Sequence, residues 1–258
     1  MVSCVAAVGL CTPLSAADDP LARARLLYNQ HHYEAAVSAA EQARAAPGRA
    51  DAADLVAARA YLERYRQSAA SDDLTNARER LRRLDPIRFA PRERTEFIVG
   101  LGEALYFDGA YGAAASMFES VLKGVEDLTG DARASVLDWW ASAVEREAKA
   151  RPEAERHAAF LRIRGRMNEE LATHPASAPA AYWLAAAARA QGDLQGAWDA
   201  AQAAWVRAPL TDSAGASLRS DLDRLVLKGI IPDRAKGSAQ QAEALRQQWE
   251  QFKERWKK

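Results

Sequence analysis

Two adjacent histidines, His31 and His32, are the residues whose types first suggest chemistry, because imidazole nitrogens bind transition metals. Neighbouring positions of a helix point about 100° apart, since the helix has 3.6 residues per turn, so the two rings poorly chelate one ion. The other histidines, His157 and His174, are far away in the sequence. We therefore interpret the pair as an exposed turn and predict no metal site.

The sequence contains none of the catalytic signatures that spacing alone reveals. It has no HExxH zinc motif, no Walker phosphate loop, no GxSxG nucleophile elbow and no paired-acid signature. Its two cysteines, Cys4 and Cys11, both lie in the first dozen residues. We therefore predict that the protein is not an enzyme and that it has no cofactor.

The composition is that of a folded, mainly helical protein. Of the 258 residues 49% are hydrophobic, so the chain can build a sizeable core. Alanine is abundant, there are only 10 prolines, and the Val and Ile runs typical of strands are nearly absent. The elements that position any functional side chain are thus predicted to be helices. The 35 basic and 35 acidic residues balance, which argues against a general nucleic-acid binder.

Residues 1–17 have features of a secretion signal. Most of them are small and apolar, and Ser15 and Ala17 fit the small-x-small pattern before a cleavage site. The segment lacks a Lys or Arg, and its apolar stretch is short. We predict export to a bacterial periplasm or cell surface; the alternative is a cytoplasmic protein with a frayed N-terminus. Leu10 before Cys11 matches a lipoprotein cleavage box poorly.

The spacing of apolar residues predicts five helical hairpins followed by two further helices. The hairpins are expected from Pro20 to Gly48 with Tyr33 opening the second helix, at Asp51–Glu63 with Asp72–Leu84, at Arg92–Leu122, at Asp131–Ala150 with Pro152–Ala172, and at Ala178–Pro209. The further helices are expected at Asp212–Leu227 and from about Ser238 to the end, joined by a short apolar connector at 229–232. A terminal helix that is polar on one side is suited to capping a stack of hairpins.

One motif occurs in both the third and the fifth hairpin. Each copy places Leu eight residues before Gly, an aromatic residue or Leu two residues after that Gly, and Ala three residues later. The first copy consists of Leu101, Gly102, Gly109, Tyr111, Ala114 and Phe118, and the second consists of Leu184, Ala185, Gly192, Asp193, Leu194, Ala197, Ala204 and Pro209.

These two hairpins resemble tetratricopeptide repeats, and the resemblance extends more weakly over residues 20–209. It implies an all-α fold, a right-handed superhelical array of antiparallel helical hairpins. Residues 18–209 would form the repeats, and residues 210–258 would form the C-terminal capping helices.

The resemblance also implies a binding surface, because the first helices of successive tetratricopeptide repeats line a concave groove that holds peptides. The corresponding positions are Tyr28, Glu103, Tyr106, Tyr182 and Arg189. Tyr and Arg suit recognition, since they combine a large contact area with a polar end. The paired Lys and Asn of chaperone-binding members are absent. The expected function is a non-enzymatic scaffold that binds a peptide or protein partner.

Two basic segments support an alternative function. Residues 78–94 hold seven arginines against three acids, and residues 234–258 hold seven basic residues against three acids. Such segments are usually solvated faces. The alternative is an accessory subunit of a bacterial envelope complex, which would bind an acidic partner or an anionic membrane surface through them.

Aromatic residues at two places are expected to serve packing. Trp249, Phe252 and Trp256 should dock the last helix on the helices before it. Trp139 and Trp140 are adjacent on a helix and cannot both face one core, so Trp139 is expected between hairpins, with ligand contact as the alternative.

Overall fold

The computed structural model describes residues 19–124, 128–211 and 214–256, and these ranges form helices and turns without any strand. The all-α prediction is therefore confirmed at this level, whereas the right-handed superhelix stays a prediction. The α-helices are α1 (Pro20–Asn29), α2 (Tyr33–Arg44), α3 (Ala50–Ser68), α4 (Ser71–Arg83), α5 (Pro91–Phe107), α6 (Tyr111–Lys123), α7 (Gly130–Lys149), α8 (Glu153–Thr173), α9 (Ala178–Ala190), α10 (Leu194–Arg207), α11 (Gly215–Leu225), α12 (Ile231–Ala235) and α13 (Ala239–Arg255).

The described residues bear on membrane crossing but not on the predicted secretion signal. The predicted signal segment 1–17, with both cysteines, lies outside the described residues. In the part of the chain that is described, no helix combines the length and the apolar character needed to cross a lipid bilayer.

The chain divides into two compact units, residues 1–104 and 105–258, and the division falls inside α5. In the first unit α2 packs on α1 and α3, α3 packs on α4, and α1 also contacts α3. In the second unit each helix from α6 to α10 packs on the next, while α9 contacts both α7 and α11. Within each unit, contacts thus join neighbouring helices and also alternate ones, as expected for helical hairpins.

Four hairpins turn through the same local geometry. A residue in the left-handed conformation follows the first helix, and the next helix begins two residues later. The left-handed residues are His31 (φ 62°), Ala69 (φ 55°), Gly109 (φ 77°) and Gly192 (φ 78°). Glycine adopts this conformation without strain, whereas another residue loses roughly 1–2 kcal/mol. The turn therefore persists in the first two hairpins, although the glycine that marks it in the sequence is missing.

Two predicted boundaries in the second hairpin are wrong. Helix α3 extends to Ser68, so a two-residue link replaces the long loop that was expected between the helices. Helix α4 begins at Ser71, one residue before the predicted Asp72, and its N-cap Ala70 makes no side-chain capping bond. The left-handed Ala69 lets the chain turn within this short link.

The apolar connector predicted at 229–232 is also wrong, because these residues lie within a helical run. Val226–Ile230 forms a π turn between α11 and α12, in which the Ile231 N–H donates to the Val226 carbonyl. Pro232 has no N–H to give to the carbonyl four residues earlier, and a π turn accommodates that loss without ending the helix.

Aromatic side chains fill the core at the end of the second unit. Trp249 of α13 is fully buried, and its ring lies 5.8 Å from Trp198, 5.5 Å from Trp205 and 5.6 Å from Phe252. The expected docking of the last helix is thus confirmed for Trp249 and Phe252. It is wrong for Trp256, which is half exposed.

The adjacent tryptophans of α7 pack in different surroundings, as expected. Trp140 is buried, while the Trp139 ring contacts Tyr106 at 4.9 Å, Phe107 at 5.6 Å and Phe118 at 6.1 Å. These contacts join α7 to the end of α5 and to α6, so Trp139 packs between hairpins.

Candidate functional site

A cavity of about 1180 Å³ lies along α7, α9 and α11 of the second unit. Its lining side chains recur every three or four residues on each helix, so each helix presents one continuous stripe. The stripes consist of Ser135, Asp138, Ser142 and Glu145 on α7, of Tyr182, Ala186 and Arg189 on α9, and of Leu218, Asp221 and Leu225 on α11. We call this cavity the α7–α9–α11 groove.

Carboxylates dominate the charge of this groove. Its lining includes five acidic side chains, against two arginines and one histidine. The acidic residues are Asp131, Asp138, Glu145, Glu170 and Asp221, and the others are Arg133, Arg189 and His174. The chain is neutral as a whole, so this surplus is a local property of the folded second unit.

Tyr182 lines the groove from α9, the helix that packs against both α7 and α11. Burial raises the pKa of its hydroxyl, and the carboxylates of Asp221, Glu145 and Asp138 raise that pKa further. Two of these acids come from α7 and one from α11, so negative charge faces the tyrosine from both flanking helices. The hydroxyl stays protonated at neutral pH and can donate a hydrogen bond to a ligand.

Arg189 also lines the groove, but its guanidinium forms an ion pair with a carboxylate. Its Nε donates to Asp233 Oδ2 of α12 at 2.8 Å. A Cβ built on Gly229 would lie within 2.7 to 2.9 Å of the guanidinium, so this glycine in the π turn gives Arg189 its room. The π turn thus has a part in positioning one wall of the groove.

An arginine–glutamate pair in the lining of the groove joins α7 to α8. Arg133 donates from Nε to Glu170 Oε1 at 3.0 Å and from Nη2 to Oε2 at 2.8 Å, a two-point contact with a buried carboxylate. His174 Nδ1 lies 3.1 Å from the same Glu170 Oε1. This arrangement holds the two helices together and neutralises one of the five groove acids.

Replacing Glu170 with glutamine is expected to lower the free energy of unfolding by about 2 kcal/mol, because the charged two-point contact with Arg133 is lost in a buried place. Urea unfolding followed by tryptophan fluorescence measures the change. Glu169→Gln, on the exposed face of the same helix, is the matched control. Equal stability of the two variants would contradict the role assigned to the pair.

Tyr106 lies outside the described lining of the groove. Its ring contacts Tyr111 at 5.2 Å and Trp139 at 4.9 Å, and the Arg146 guanidinium lies 5.5 Å from its centroid. Burial raises its pKa, and the Arg146 charge opposes that rise. Of the five positions predicted from the sequence, Tyr182 and Arg189 are therefore brought together, while Tyr106 belongs to an aromatic cluster.

Tyr28 and Glu103 lie in the first unit, beside Arg59 of α3. The Arg59 guanidinium lies 4.7 Å from the centroid of the Tyr28 ring, and its Nη1 is 3.8 Å from Glu96 Oε2. Glu103 is buried, and its Oε2 has no hydrogen-bond partner among the described residues. Burial raises the pKa of this carboxyl to about 7, although the positive charge of Arg59 opposes the shift.

The sequence-based selection missed the acids that give the groove its character. Asp138 and Glu145 lie seven residues apart on one face of α7, with Ser142 between them, and Asp221 faces them from α11. A polar stripe at helical spacing was visible in the α7 sequence. Only the packing of α9 against both neighbours shows that this stripe faces a cavity and not bulk solvent.

The arginines of residues 78–94 are largely engaged within the first unit. They bind acids or carbonyls of their own unit: Arg80 pairs with Glu41 and Asp54, Arg88 with Asp51 at 3.2 Å, Arg92 with Glu96 at 3.2 Å, and Arg94 donates to the carbonyls of Pro86 and Phe89. In α13, Lys253 similarly pairs with Asp223 at 3.0 Å and with Glu250 at 2.8 Å. These contacts partly neutralise the positive charge of the two basic segments.

The histidine pair forms the turn after α1. His31 takes the left-handed conformation, and its Nδ1 lies 2.7 Å from the Tyr33 hydroxyl. The described residues contain no group of three or more His, Cys, Asp or Glu side chains placed to hold a metal ion.

In comparisons with known proteins, no protein-family model, no curated protein and no solved structure matched this chain. The resemblance to tetratricopeptide repeats consequently depends on the residue pattern alone. Function has to be argued from the groove itself.

Proposed function

We propose that this protein is a non-enzymatic scaffold that binds an extended segment of a partner protein in the α7–α9–α11 groove. The observation that carries the proposal is that three alternate helices each turn one stripe of side chains, Tyr182 among them, toward one cavity of about 1180 Å³. This volume exceeds that of most small-molecule pockets, which hold roughly 300–1,000 Å³.

The length of the groove suits a short peptide. The lining positions on α7 run from Asp131 to Glu145, fourteen residues or about 21 Å at 1.5 Å per residue. An extended chain rises about 3.3 Å per residue, so about six residues cover that distance. Hydroxyl and carboxylate groups along the stripes can bind backbone amides, while Leu218 and Leu225 offer apolar contact.

A selection from a random peptide library displayed on phage tests the proposal. Selected peptides are synthesised, and their affinities are measured by calorimetry for the wild type and for two groove variants. Tyr182→Ala is expected to weaken binding by about tenfold or more, because an aromatic contact with a hydrogen-bonding hydroxyl is lost in the groove. Ala186→Met, which fills the groove without changing its charge, should weaken binding as well.

Tyr106→Ala is the matched control, because Tyr106 is a half-buried tyrosine of the same unit outside the groove. Its affinity for the same peptides should stay within about twofold of the wild type. The proposal is wrong if Tyr182→Ala and Ala186→Met bind every selected peptide as the wild type does, with their helical content unchanged by circular dichroism.

Binding through the basic segments, as an accessory subunit of an envelope complex, is the weaker proposal. It receives less support because the arginines of residues 78–94 already bind acids and carbonyls of their own unit. Export to a periplasm stays a sequence-based prediction.

A further inference from the structure

A buried carboxyl and a buried guanidinium nitrogen of the first unit each lack a hydrogen-bond partner. Glu103 of α5 is only 4% exposed, and its Oε2 makes no hydrogen bond among the described residues. The Nε of Arg59 on α3 is buried and also has no partner in the described part of the chain. An unsatisfied donor and an unsatisfied acceptor each cost free energy in a protein interior, and a bond between the two would remove both costs.

Gly100 places the Arg59 side chain between two glutamates of α5. A Cβ built on Gly100 would lie 3.7 Å from the Arg59 Cγ, so the aliphatic part of the arginine packs against the helix at this glycine. Glu96 comes four residues before Gly100 and Glu103 comes three residues after it, so all three positions share one face of α5. The guanidinium therefore has one carboxyl on each side of it along the helix.

Arg59 pairs loosely with Glu96 in the structure. Its Nη1 lies 3.8 Å from Glu96 Oε2, which is longer than a hydrogen bond. Glu96 also has a second cation, because Arg92 Nε donates to its Oε1 at 3.2 Å. Glu96 consequently keeps an ion pair when Arg59 moves away, and this makes the departure of Arg59 less unfavourable.

Arg59 is the cation best placed to neutralise Glu103. The titratable and charged groups that act on Glu103 from other helices are Tyr28 of α1, Tyr33 of α2, and Arg59, Glu63 and Arg66 of α3. Arg66 already binds Glu63, since its Nε donates to Glu63 Oε2 at 2.8 Å. Burial raises the pKa of both tyrosine hydroxyls, which are therefore uncharged at neutral pH. An ionised Glu103 would consequently draw on Arg59 for its counter-charge.

The protonation state of Glu103 decides which arrangement is favoured. Burial raises the pKa of this carboxyl to about 7, so the group is neutral in acid and charged in mild base. A neutral carboxyl attracts a guanidinium only weakly, and Arg59 then stays beside the charged Glu96. A buried carboxylate, in contrast, needs a charged donor to offset its desolvation.

We propose that Arg59 exchanges its partner with pH: it lies beside Glu96 while Glu103 is protonated, and it turns to Glu103 when that carboxyl ionises. The exchange offsets part of the free energy that the buried charge would otherwise cost. This inference concerns the first unit and is independent of the function proposed for the α7–α9–α11 groove.

The exchange changes the charge of a cavity in the first unit, which has a volume of about 290 Å³. The charged residues of its lining are Arg25, Arg59, Arg92, Glu93 and Glu96, three positive side chains against two negative ones. Glu103 lies outside this lining. When Arg59 turns toward Glu103, two charges of each sign remain. The cavity is therefore expected to be more positive below neutral pH than above it.

Solvent exchange of the Arg59 Nε proton tests the inference. The full chain is labelled with ¹⁵N-arginine, the Arg59 signal is assigned from its absence in Arg59→Lys, and exchange is measured by NMR in the wild type and in Glu103→Gln. At pH 8 this proton is expected to exchange on the order of tenfold more slowly in the wild type, because it donates to the Glu103 carboxylate. At pH 5 the two rates should agree within about twofold, because Glu103 is then neutral.

Glu96→Gln is the matched control, since it removes a carboxylate of the same helix that is also close to Arg59. At pH 8 it should leave the exchange rate within about twofold of the wild type, because the protecting partner is Glu103. Equal rates in the wild type and in Glu103→Gln at pH 8 would overturn the inference. So would an equal acceleration by Glu96→Gln, because a nearby charge and not a hydrogen bond to Glu103 would then slow the exchange. Circular dichroism at both pH values verifies that the variants are folded.

Discussion

Replacing Trp249 with alanine is expected to lower the free energy of unfolding of the second unit by about 3–5 kcal/mol. The indole is fully buried among Trp198, Trp205 and Phe252, so its removal leaves a large cavity between α10 and α13. Its Nε1 also donates to Asp223 Oδ1 at 2.7 Å, and the variant leaves that partly buried carboxylate without this donor.

Urea unfolding followed by tryptophan fluorescence measures this loss. All seven tryptophans lie at position 139 or beyond, so the signal reports on the second unit alone. Trp256→Ala is the matched control, because Trp256 is half exposed at the end of the same helix. Its effect should stay below about 1 kcal/mol. If both variants unfold at the same urea concentration, α13 does not contribute the packing that we assign to it.

This prediction also changes how a truncation should be interpreted. Removal of the chain from Ser238 onward takes away Trp249 and Phe252 and exposes the apolar side chains beneath α13. A partner lost after such a truncation could be lost through unfolding of the groove. Point variants on the exposed face of α13 are therefore the informative test of a binding role for this helix.

Replacing Glu103 with glutamine is expected to stabilise the first unit at pH 8, by up to about 3 kcal/mol relative to the wild type, and to leave stability at pH 5 nearly unchanged. In the folded protein burial raises the pKa of Glu103 from 4.5 to about 7, and Glu63 raises it while Arg59 and Arg66 lower it. A carboxyl whose pKa is higher in the folded state favours folding while it is protonated. That contribution is fully present below pH 4.5 and is lost as the pH rises through 7.

The pH dependence is the decisive measurement. The first unit contains no tryptophan, so its unfolding has to be followed by far-ultraviolet circular dichroism or by hydrogen exchange of its amides. The difference in stability between Glu103→Gln and the wild type should grow from pH 5 to pH 8. Glu96→Gln is the matched control, because Glu96 lies on the same helix and also faces Arg59, but its side chain is about one quarter exposed. A constant difference across this range would show that the charge of Glu103 is satisfied in the fold.

The turn geometry shows what a sequence motif can and cannot report. Gly109 and Gly192 predict two of the hairpin turns from the sequence, because glycine is the residue that takes a left-handed conformation without strain. His31 and Ala69 occupy the same conformation and were not recognised as equivalent. Such residues bear a local strain that the packing of the surrounding helices offsets, and local sequence carries no sign of that packing.

Misplaced boundaries have a similar origin. The π turn at Val226–Ile230 was interpreted as a connector, since Gly229 and Pro232 are common in loops. In the folded second unit, Gly229 makes room for Arg189, and Ile230 and Ile231 are fully buried in the core. Tertiary contacts therefore outweigh the local preference of these residues.

By itself, the sequence determined that the protein is helical and where most of its helices begin and end, because apolar residues at helical spacing and glycine turns act over a few residues. It also singled out Tyr182 and Arg189 as candidates, and both line the α7–α9–α11 groove. Only the tertiary structure placed Asp138, Glu145 and Asp221 around that tyrosine and engaged Arg133 and Arg189 elsewhere. The net charge of a surface depends on which side chains lie close together on neighbouring helices. Their separation is set by packing between helices that are far apart in the chain.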